Sequence, residues 1–289
     1  MIGALARRAG DAIRPLLREP ALMIGLGMLG FLLLLAISGP WLVNADLARV
    51  GSLRPRLPPS LTSLLGTDSQ GRDVLAALVL ATPQTLKIGL IAGFIGLALG
   101  AILGLSAGYF GGITDTVIRL AADVVMTIPG IAVLVLVATN VRTMNVNLMA
   151  IIVASLSWMY ATRAIRAQTL SLRERPYVQI ARLNGLTGVG LIVRELLPNL
   201  LPYLAASFVT AVSRAMLATI GLEALGLGPQ NELTLGMMIY WAQYYGAILR
   251  GLWWWWLPPV VMIVIMFVGL LLTAIGLDRV VNARLWKSP

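Results

Sequence analysis

The sequence predicts an all-α polytopic membrane protein with six transmembrane helices. Hydrophobic residues make up 58% of its 289 residues and charged residues only 12%, which leaves too little polar surface to cover a soluble domain. Uncharged runs of 18 to 27 residues recur along the chain. Each run is long enough to cross a hydrocarbon layer of roughly 30 Å as a helix.

Six stretches are the predicted spans. Five of them contain no charged residue, and the remaining one contains only Arg214. In chain order they are Pro20–Ala45, Ile88–Thr114, Val124–Val141, Thr143–Thr162, Leu196–Leu222 and Gly251–Leu277.

A seventh uncharged stretch, Leu233–Leu249, is predicted to be a re-entrant or interfacial helix rather than a span. Its bulky residues form a helical stripe rich in the aromatic side chains that favour membrane interfaces. We expect this stripe to form either an outer lip of the protein or part of its core: Met237, Tyr240, Trp241, Tyr244, Tyr245 and Ile248. The following run, Trp253–Trp256, is expected to anchor the outer edge of the last span, with a stacking platform for a ligand as the alternative.

The basic residues predict that both termini lie in the cytoplasm, because positive charge is enriched on that side of membranes. Four arginines precede the first span, at positions 7, 8, 14 and 18, and the basic residues Arg279, Arg284 and Lys287 follow the last. On this count the loop after the fourth span is cytoplasmic and Asn44–Thr85 is extracytoplasmic. The net charge of +10 is then explained by arginines at membrane edges rather than by nucleic-acid binding.

The residue types exclude most enzymatic chemistry. The chain has no histidine and no cysteine, which removes the commonest general base, the commonest transition-metal ligand and any disulfide. Lys87 and Lys287 are its only lysines, and neither ends a phosphate-binding G-x-x-x-x-G-K-[ST] loop. The scattered acidic residues form no hydrolytic pair. We therefore expect a protein that moves a solute, or a scaffold for one that does, and that carries no catalytic, cofactor or metal site.

A charged segment between two predicted spans, "RERPYVQIARLNGLTGVGLIVRELLPN" (173–199), is predicted to be a helical hairpin. Pro176 suits a first helical position and Gly185 suits the left-handed residue after a helix end, so "YVQIARLN" forms about two turns. A second helix, "GVGLIVRELL", follows and ends at Pro198. An ordinary solvated loop is the alternative, but apolar residues at the tip indicate docking onto a partner: Tyr177, Val178, Ile180 and Leu183.

This segment also resembles the EAA motif, E-A-A-x3-G-x9-I-x-L-P, of binding-protein-dependent ABC importer permeases. Its corresponding positions are Gln179-Ile180-Ala181, Gly185 and Glu195-Leu196-Leu197-Pro198, with Gln179, Ile180 and Glu195 in place of the motif's Glu, first Ala and Ile. Four further stretches are similar to the C-type permease subunit of dipeptide, oligopeptide and nickel importers: "LGTDSQGRDV" (65–74), "LSAGYFGGITDTVIRLAADVVMTIP" (105–129), "SWMYATRAIRAQTLSLRERPYV" and "LGLGPQ". The chain departs from the pattern at Thr219, where an acid is usual, and at Asn282-Ala283-Arg284, where Asp-Pro-Arg is usual.

The resemblance implies a type I ABC importer permease fold in a bacterial inner membrane. It also implies a second homologous permease, two cytoplasmic ATPases that bind ATP and Mg, and an extracytoplasmic solute-binding protein. The chain then divides into residues 1–84, a core permease domain at 85–280 with a coupling loop at 162–198, and a tail at 281–289. The residues that would contact the ATPase are Tyr177, Val178, Gln179, Ile180, Ala181, Arg182, Leu183 and Gly185.

Two residues are candidates for the solute pathway, Arg214 and Glu223. Arg214 is the only charge well inside a predicted span, and such a charge usually faces a cavity or a partner. It would line the pathway, pair with an acid or extend towards the membrane surface. Asp115, Arg119 and Asp123 share one helix face and predict a salt-bridge ladder rather than a proton path.

The motif "LGTDSQGRDV" predicts a hydrogen-bonded structural turn, with solute contact as the alternative.

A peptide-like solute is implied by the resemblance, and nickel chelates, oligosaccharides and opines are the other solutes of related importers. A self-sufficient secondary transporter or channel is the competing class. The internal repeats and buried acid clusters typical of secondary transporters are not evident in the sequence.

Overall fold

A computed structural model describes residues 19–286, with side chains through residue 280. Apart from one isolated bridge, the regular elements in this range are helices. They are α1 (Pro20–Leu42), α2 (Val74–Phe110), α3 (Gly112–Thr127), α4 (Gly130–Thr139), α5 (Val146–Ala154), α6 (Trp158–Arg173), α7 (Pro176–Leu183), α8 (Gly188–Leu191), α9 (Leu197–Ala224), α10 (Leu235–Tyr244) and α11 (Trp253–Trp286). The four arginines before residue 19, Lys287 and the Arg284 side chain lie outside this description.

Four helices are long and apolar enough to cross a membrane: α1, α2, the continuous run from α8 through α9, and α11. Helix α2 has 37 residues and begins well before the predicted span, because Lys87 lies inside the helix rather than ahead of it. The Asp73 carboxylate caps its first turn by accepting the Ala76 N–H at 2.8 Å.

Two predicted spans are bent pairs of helices. Helices α3 and α4 meet at 77°, and α5 and α6 meet at 44°. Ile128 is extended because a residue before a proline avoids helical geometry, so Pro129 separates α3 from α4. Ser155 and Ser157 donate to the Ile152 and Val153 carbonyls at the second break. Six spans, the predicted number, therefore result when each pair counts as one, and the stretches predicted over 124–141 and 143–162 each contain a break between two helices.

The segment after α7 also differs from its prediction. Helix α8 continues through a π turn, Ile192–Leu196, directly into α9, so the predicted helix end at Pro198 is wrong. Pro198 lies in the first turn of α9, directly after the π turn. Proline has no N–H to donate to the preceding turn, and the wider π turn accommodates this missing hydrogen bond without ending the helix. The hairpin is therefore one short helix followed by a helix that enters the membrane directly.

Helix α2 is the centre of the bundle, and glycines allow two neighbours to approach it closely. A Cβ on Gly100 would lie 2.9 Å from the Trp158 carbonyl oxygen of α6, so only glycine fits. The same face repeats small residues against α9 and α6, at Gly89, Gly93, Gly96, Gly104 and Gly108. Close backbone contact of this kind is typical of helix pairs in membranes.

The loop between α1 and α2 contains the predicted hydrogen-bonded turn. One oxygen of the Asp68 carboxylate accepts the N–H groups of Gln70 and Arg72 at 2.7 and 2.9 Å. Burial raises the pKa of Asp68, with the two N–H bonds and the Arg72 charge opposing the rise, and burial lowers the pKa of Arg72. Thr67 is buried, and Trp254 Nε1 donates to its carbonyl oxygen at 3.3 Å. These contacts confirm that the motif forms a hydrogen-bonded turn.

Helix α10 has ten residues, about 15 Å, and is too short to cross a bilayer. Its buried side chains, among them Leu235 and Met238, pack into a core with α2, α9 and α11. The predicted aromatic stripe does not act as one surface, because Met237 is buried, Tyr244 is exposed and the helix ends before Ile248.

The tryptophan run is also divided rather than a uniform membrane anchor. Trp253 is exposed, Trp254 donates a hydrogen bond to Thr67 of the turn between α1 and α2, and Trp255 is fully buried in the core. Adjacent residues on a helix point in directions about 100° apart, so a run of four cannot share one environment.

Candidate functional site

Helix α7, between α6 and α8, begins and ends as its sequence predicts. Pro176 occupies the first turn of α7, after an extended Arg175. Gly185 has a φ of +84°, which favours glycine. The Gly185 N–H donates to the Arg182 carbonyl at 2.9 Å, and the Leu186 N–H donates to the Ala181 carbonyl at 3.0 Å. These two bonds form a Schellman motif, so α7 is a short helix with defined ends.

The two faces of α7 differ in exposure. Val178 is 0% exposed and Ala181 is also buried, because this face packs on Ile165 and on Leu191 and Leu196 beneath it. On the opposite face, Ile180 is 57% exposed and Leu183 is 87% exposed. The expectation that four apolar residues project is therefore wrong for Val178, which belongs to the core, and for the half-buried Tyr177.

The polar residues of α7 have separate surroundings. Gln179 and Arg182 are exposed, and the Gln179 amide donates to the Glu174 carbonyl at 3.3 Å. The Tyr177 hydroxyl has no hydrogen-bond partner among the described residues. Burial raises the pKa of Tyr177, and the nearby Glu195 charge adds to the rise.

The hairpin is attached to the end of α2. The Tyr109 hydroxyl accepts the Gly188 N–H at 3.1 Å, and the Arg182 guanidinium lies 5.6 Å from the centre of the Tyr109 ring. Arg173 Nη1 donates to the Gly108 carbonyl at 3.0 Å. Tyr109 lies outside the predicted coupling loop, although it belongs to "GYFGG", a stretch that carries part of the resemblance. Arg173 lies within that loop, but its motif does not predict a bond to α2.

A cavity of about 620 Å³ lies between the two bent pairs and α9. Its wall on α9 comes from residues three or four apart, which lie on one helix face. That face extends about 22 Å along the helix axis. Its residues are Tyr203, Ala206, Ser207, Thr210, Ala211, Arg214 and Ala218.

Arg214 lies on this wall, with its guanidinium carbon 4.6 Å from the centre of the Tyr160 ring of α6. In the part of the chain that the structure describes, no carboxylate lies within 4.0 Å of it. Arg163, which also lines the cavity, is paired with Asp123 at 3.3 Å. Asp278 is the third charged residue on the wall.

Glu223, the other pathway candidate, is absent from the cavity wall. Its side chain is 0% exposed, and the polar groups that face it are the Thr234 side chain and the Gly236 N–H. A Cβ on Gly236 would overlap its carboxylate, and a Cβ on Gly228 would lie 2.7 Å from its Cγ. Glu223 is therefore enclosed where α9, the following loop and α10 meet, and it does not share a site with Arg214.

The acidic residues of α3 do not form the predicted ladder along their own helix. Asp115 accepts two hydrogen bonds from Arg166 of α6, and Asp123 pairs with Arg163, which is also on α6. Because both partners lie on α6, the ion pairs join the two bent pairs. Among the described residues, no three carboxylate, histidine or cysteine side chains come close enough to hold a metal ion.

Comparisons with known proteins agree with this architecture. Residues 100–287 match the family described as binding-protein-dependent transport system inner membrane component. Residues 8–59 match the N-terminal transmembrane domain of oligopeptide transport permease C.

Individual relatives cover most of the chain. It is 29% identical over 236 residues to the oligopeptide transport system permease protein OppC of Mycobacterium bovis, covering 81% of each chain. It is 32% identical over 277 residues to a Brucella suis protein whose name assigns it provisionally to a peptide transport system, covering 94% of this chain and 90% of the relative. It is 31% identical to OppC of Lactococcus lactis subsp. cremoris, over 72% of this chain and 71% of the relative.

Proposed function

This chain belongs to the family of binding-protein-dependent transport system inner membrane components, and from that premise we propose that it forms half of the pathway of an ATP-driven importer for peptide-like solutes. Its family makes it a membrane permease subunit, not an enzyme, with ATPase and solute-binding partners in general. The names of the relatives favour peptides over nickel chelates, oligosaccharides or opines.

One observation carries the coupling role: α7 is a short helix with defined ends, outside the spans, that exposes Ile180 and Leu183. Exposed apolar side chains on a rigid projection are typical of a docking surface. We place this helix in a cleft of a cytoplasmic ATPase, with both termini of the chain on the same side of a bacterial inner membrane. The coupling loop is residues 162–198 and the core permease domain is residues 85–280.

The proposed mechanism follows from how the hairpin is attached. Two ATPases that bind ATP and Mg close on each other and move the α7 helix of each permease. Val178 and Ala181 hold α7 against the base of the bundle, and Tyr109 joins the hairpin to α2, so that movement reaches the spans. A second permease completes the pathway, and an extracytoplasmic binding protein delivers the solute.

The test is co-purification. The tagged chain is expressed with its neighbouring genes, extracted in mild detergent and compared with Leu183→Asp and with Leu249→Asp. Leu249 is 94% exposed but lies in the turn between α10 and α11, beyond the opposite end of α9, which makes it a matched control. We expect a second permease and ATPases to co-purify with wild type and Leu249→Asp, and the ATPases to be lost from Leu183→Asp.

Two outcomes would contradict the proposal. ATPase retention by Leu183→Asp would remove the docking role from α7. A chain that purifies alone and moves solute into liposomes without ATP would be a secondary transporter or a channel.

A further inference from the structure

Arg214 has an unusual position for a charge in a membrane helix. It lies on the face of α9 that lines the cavity, 18 residues after the start of the predicted span Leu196–Leu222 and eight residues, about 12 Å, before its end. A charge within a bilayer is unfavourable unless a partner or water faces it. The described residues provide Arg214 with an aromatic ring, and with neither a carboxylate within 4.0 Å nor a hydrogen bond.

The contact with Tyr160 leaves the hydrogen-bonding capacity of Arg214 unused. A cation over a ring face is attracted by the ring's quadrupole and uses none of the five N–H donors of a guanidinium. The ring thus holds the cation at the cavity wall while its donors stay available. A planar guanidinium fork matches a carboxylate with two parallel hydrogen bonds.

The cavity suits an organic solute that carries such a group. Its volume of about 620 Å³ lies within the roughly 300–1,000 Å³ range of small-molecule sites. Apolar and small polar residues make up the wall around Arg214, including Ser207 and Thr210. The other wall arginine, Arg163, is paired with Asp123, which leaves Arg214 as the free cation among the described wall residues.

We propose that Arg214, held over Tyr160, is a carboxylate-binding subsite of the cavity and selects solutes that carry a free carboxylate, such as the C-terminus of a peptide. The proposal rests on the proposed function, because it assumes that the solute passes through this cavity. Arg214 binds the carboxylate directly, and Tyr160 positions Arg214.

The first experiment does not depend on transport, ATP or the binding protein. The chain has no cysteine, so Ala211→Cys places a single thiol one turn from Arg214 on the cavity wall. Its rate of modification in the assembled complex is measured with the anionic 2-carboxyethyl methanethiosulfonate and with neutral methyl methanethiosulfonate, and labelling of this chain is read by mass spectrometry. Ser207→Cys, about two turns from Arg214, serves as the distance control.

Arg214→Gln should lower the anionic-to-neutral rate ratio at position 211 by about threefold to tenfold, as expected for a unit charge roughly 6 Å away in a partly hydrated cavity. The change at position 207 should be smaller because screening acts over about 8 Å. Arg119→Gln, which removes an exposed charge of α3 that is not on the cavity wall, should leave both ratios unchanged. An unchanged ratio at position 211 in Arg214→Gln would overturn the proposal.

The second experiment asks whether the subsite selects solutes. ATP-driven uptake into proteoliposomes is compared for a tripeptide and its C-terminal amide, each supplied on saturating binding protein. Arg214→Gln should reduce uptake of the free acid at least about tenfold more than uptake of the amide, the loss expected for a charge-assisted hydrogen-bonded pair. An equal loss for both peptides would show that Arg214 does not recognise the carboxylate and would overturn the proposal.

Arg214→Lys keeps the charge without the two-pronged fork, so it tests the subsite if Arg214→Gln does not assemble. It should preserve the thiol rate ratio and still lower uptake of the free acid. Wild-type uptake of both peptides by Arg214→Lys would overturn the proposal. The proposed function fails separately, if wild-type complex shows no ATP-driven uptake or no ATPase partner.

Discussion

Replacing Gly185 tests whether the defined end of α7 matters for coupling. A Cβ at this position would meet no atom within 4 Å, so a substitution causes no collision and acts through the backbone alone. The residue has a φ of +84°, and a side chain in the left-handed region destabilises by roughly 1–2 kcal/mol. A free-energy change of that size alters an equilibrium about 5- to 30-fold. Gly185→Ala should therefore lower the ratio of hairpins with the observed end geometry to hairpins without it by a factor of this size.

Three variants separate backbone strain from other effects. Gly185→Val should be worse than Gly185→Ala, because a β-branched residue tolerates this backbone conformation least. Gly185→Asn should recover much of the loss, because asparagine accepts it more readily. Gly190→Ala is the matched control, since this nearby glycine is helical and its Cβ would meet only the tip of Leu186 at 4.0 Å.

The assay measures solute imported per ATP hydrolysed in proteoliposomes that contain the whole complex, together with the amount of ATPase retained. We expect hydrolysis without import, or loss of the ATPases, for Gly185→Ala and Gly185→Val, and near-wild-type coupling for Gly190→Ala. Normal import per ATP by Gly185→Val would refute the reasoning.

Three further predictions concern the packing and charges of the bundle. Gly236→Ala should lower the thermal unfolding temperature of the complex, since its Cβ would overlap the Glu223 carboxylate and overpacking destabilises by about 1–3 kcal/mol; Gly27→Ala in α1, where the Cβ meets nothing within 4 Å, is the control, and equal temperatures for the two variants would contradict this. Asp68→Asn keeps the oxygen that accepts two N–H bonds and Asp68→Ala removes it, so only the alanine variant should be less stable than wild type at acidic pH. Because the pKa of Asp68 is raised in the folded protein, its contribution to stability is greatest below the ordinary pKa of a carboxyl and is lost as pH rises through the folded pKa. Asp68→Asn should abolish this pH dependence when the free energy of unfolding is measured against pH. A double-mutant cycle of Asp115→Asn and Arg166→Gln should give a coupling energy of about 1 kcal/mol, and strict additivity would show that the pair does not join α3 to α6.

Local rules predicted the ends of α7 and the hydrogen-bonded turn between α1 and α2 well. Proline at a helix start and glycine after a helix end act through one residue's own backbone, so Pro176 and Gly185 could be interpreted without a fold. Asp68 of "LGTDSQGRDV" also accepts its hydrogen bonds from Gln70 and Arg72, two and four residues along the chain. Composition and the length of the uncharged runs also predicted the long helices, because whether a helix can cross a bilayer depends mainly on its length and polarity.

Features set by contacts between distant residues were not predictable in this way. Asp115 and Asp123 are eight positions apart on one helix, but their partners come from α6, which only the packing of the two bent pairs decides. Val178 was expected on the surface and is buried by Ile165 and Leu191. Arg214 and Glu223 both lie on α9, yet the cavity reaches one of them while α10 encloses the other.

The length of α2 has a mechanical consequence. Its 37 residues extend about 55 Å, nearly twice the hydrocarbon thickness, from the cap at Asp73 to the contacts of Gly108 and Tyr109 with the hairpin. A stiff rod of that length that tilts by about 5° displaces its far end by about 5 Å. A small change of angle at the hairpin end of α2 would thus cause a large displacement of the turn between α1 and α2. The displacement of each end of α2 can therefore be measured as a distance, and comparing the two displacements shows how far a movement is transmitted across the bilayer.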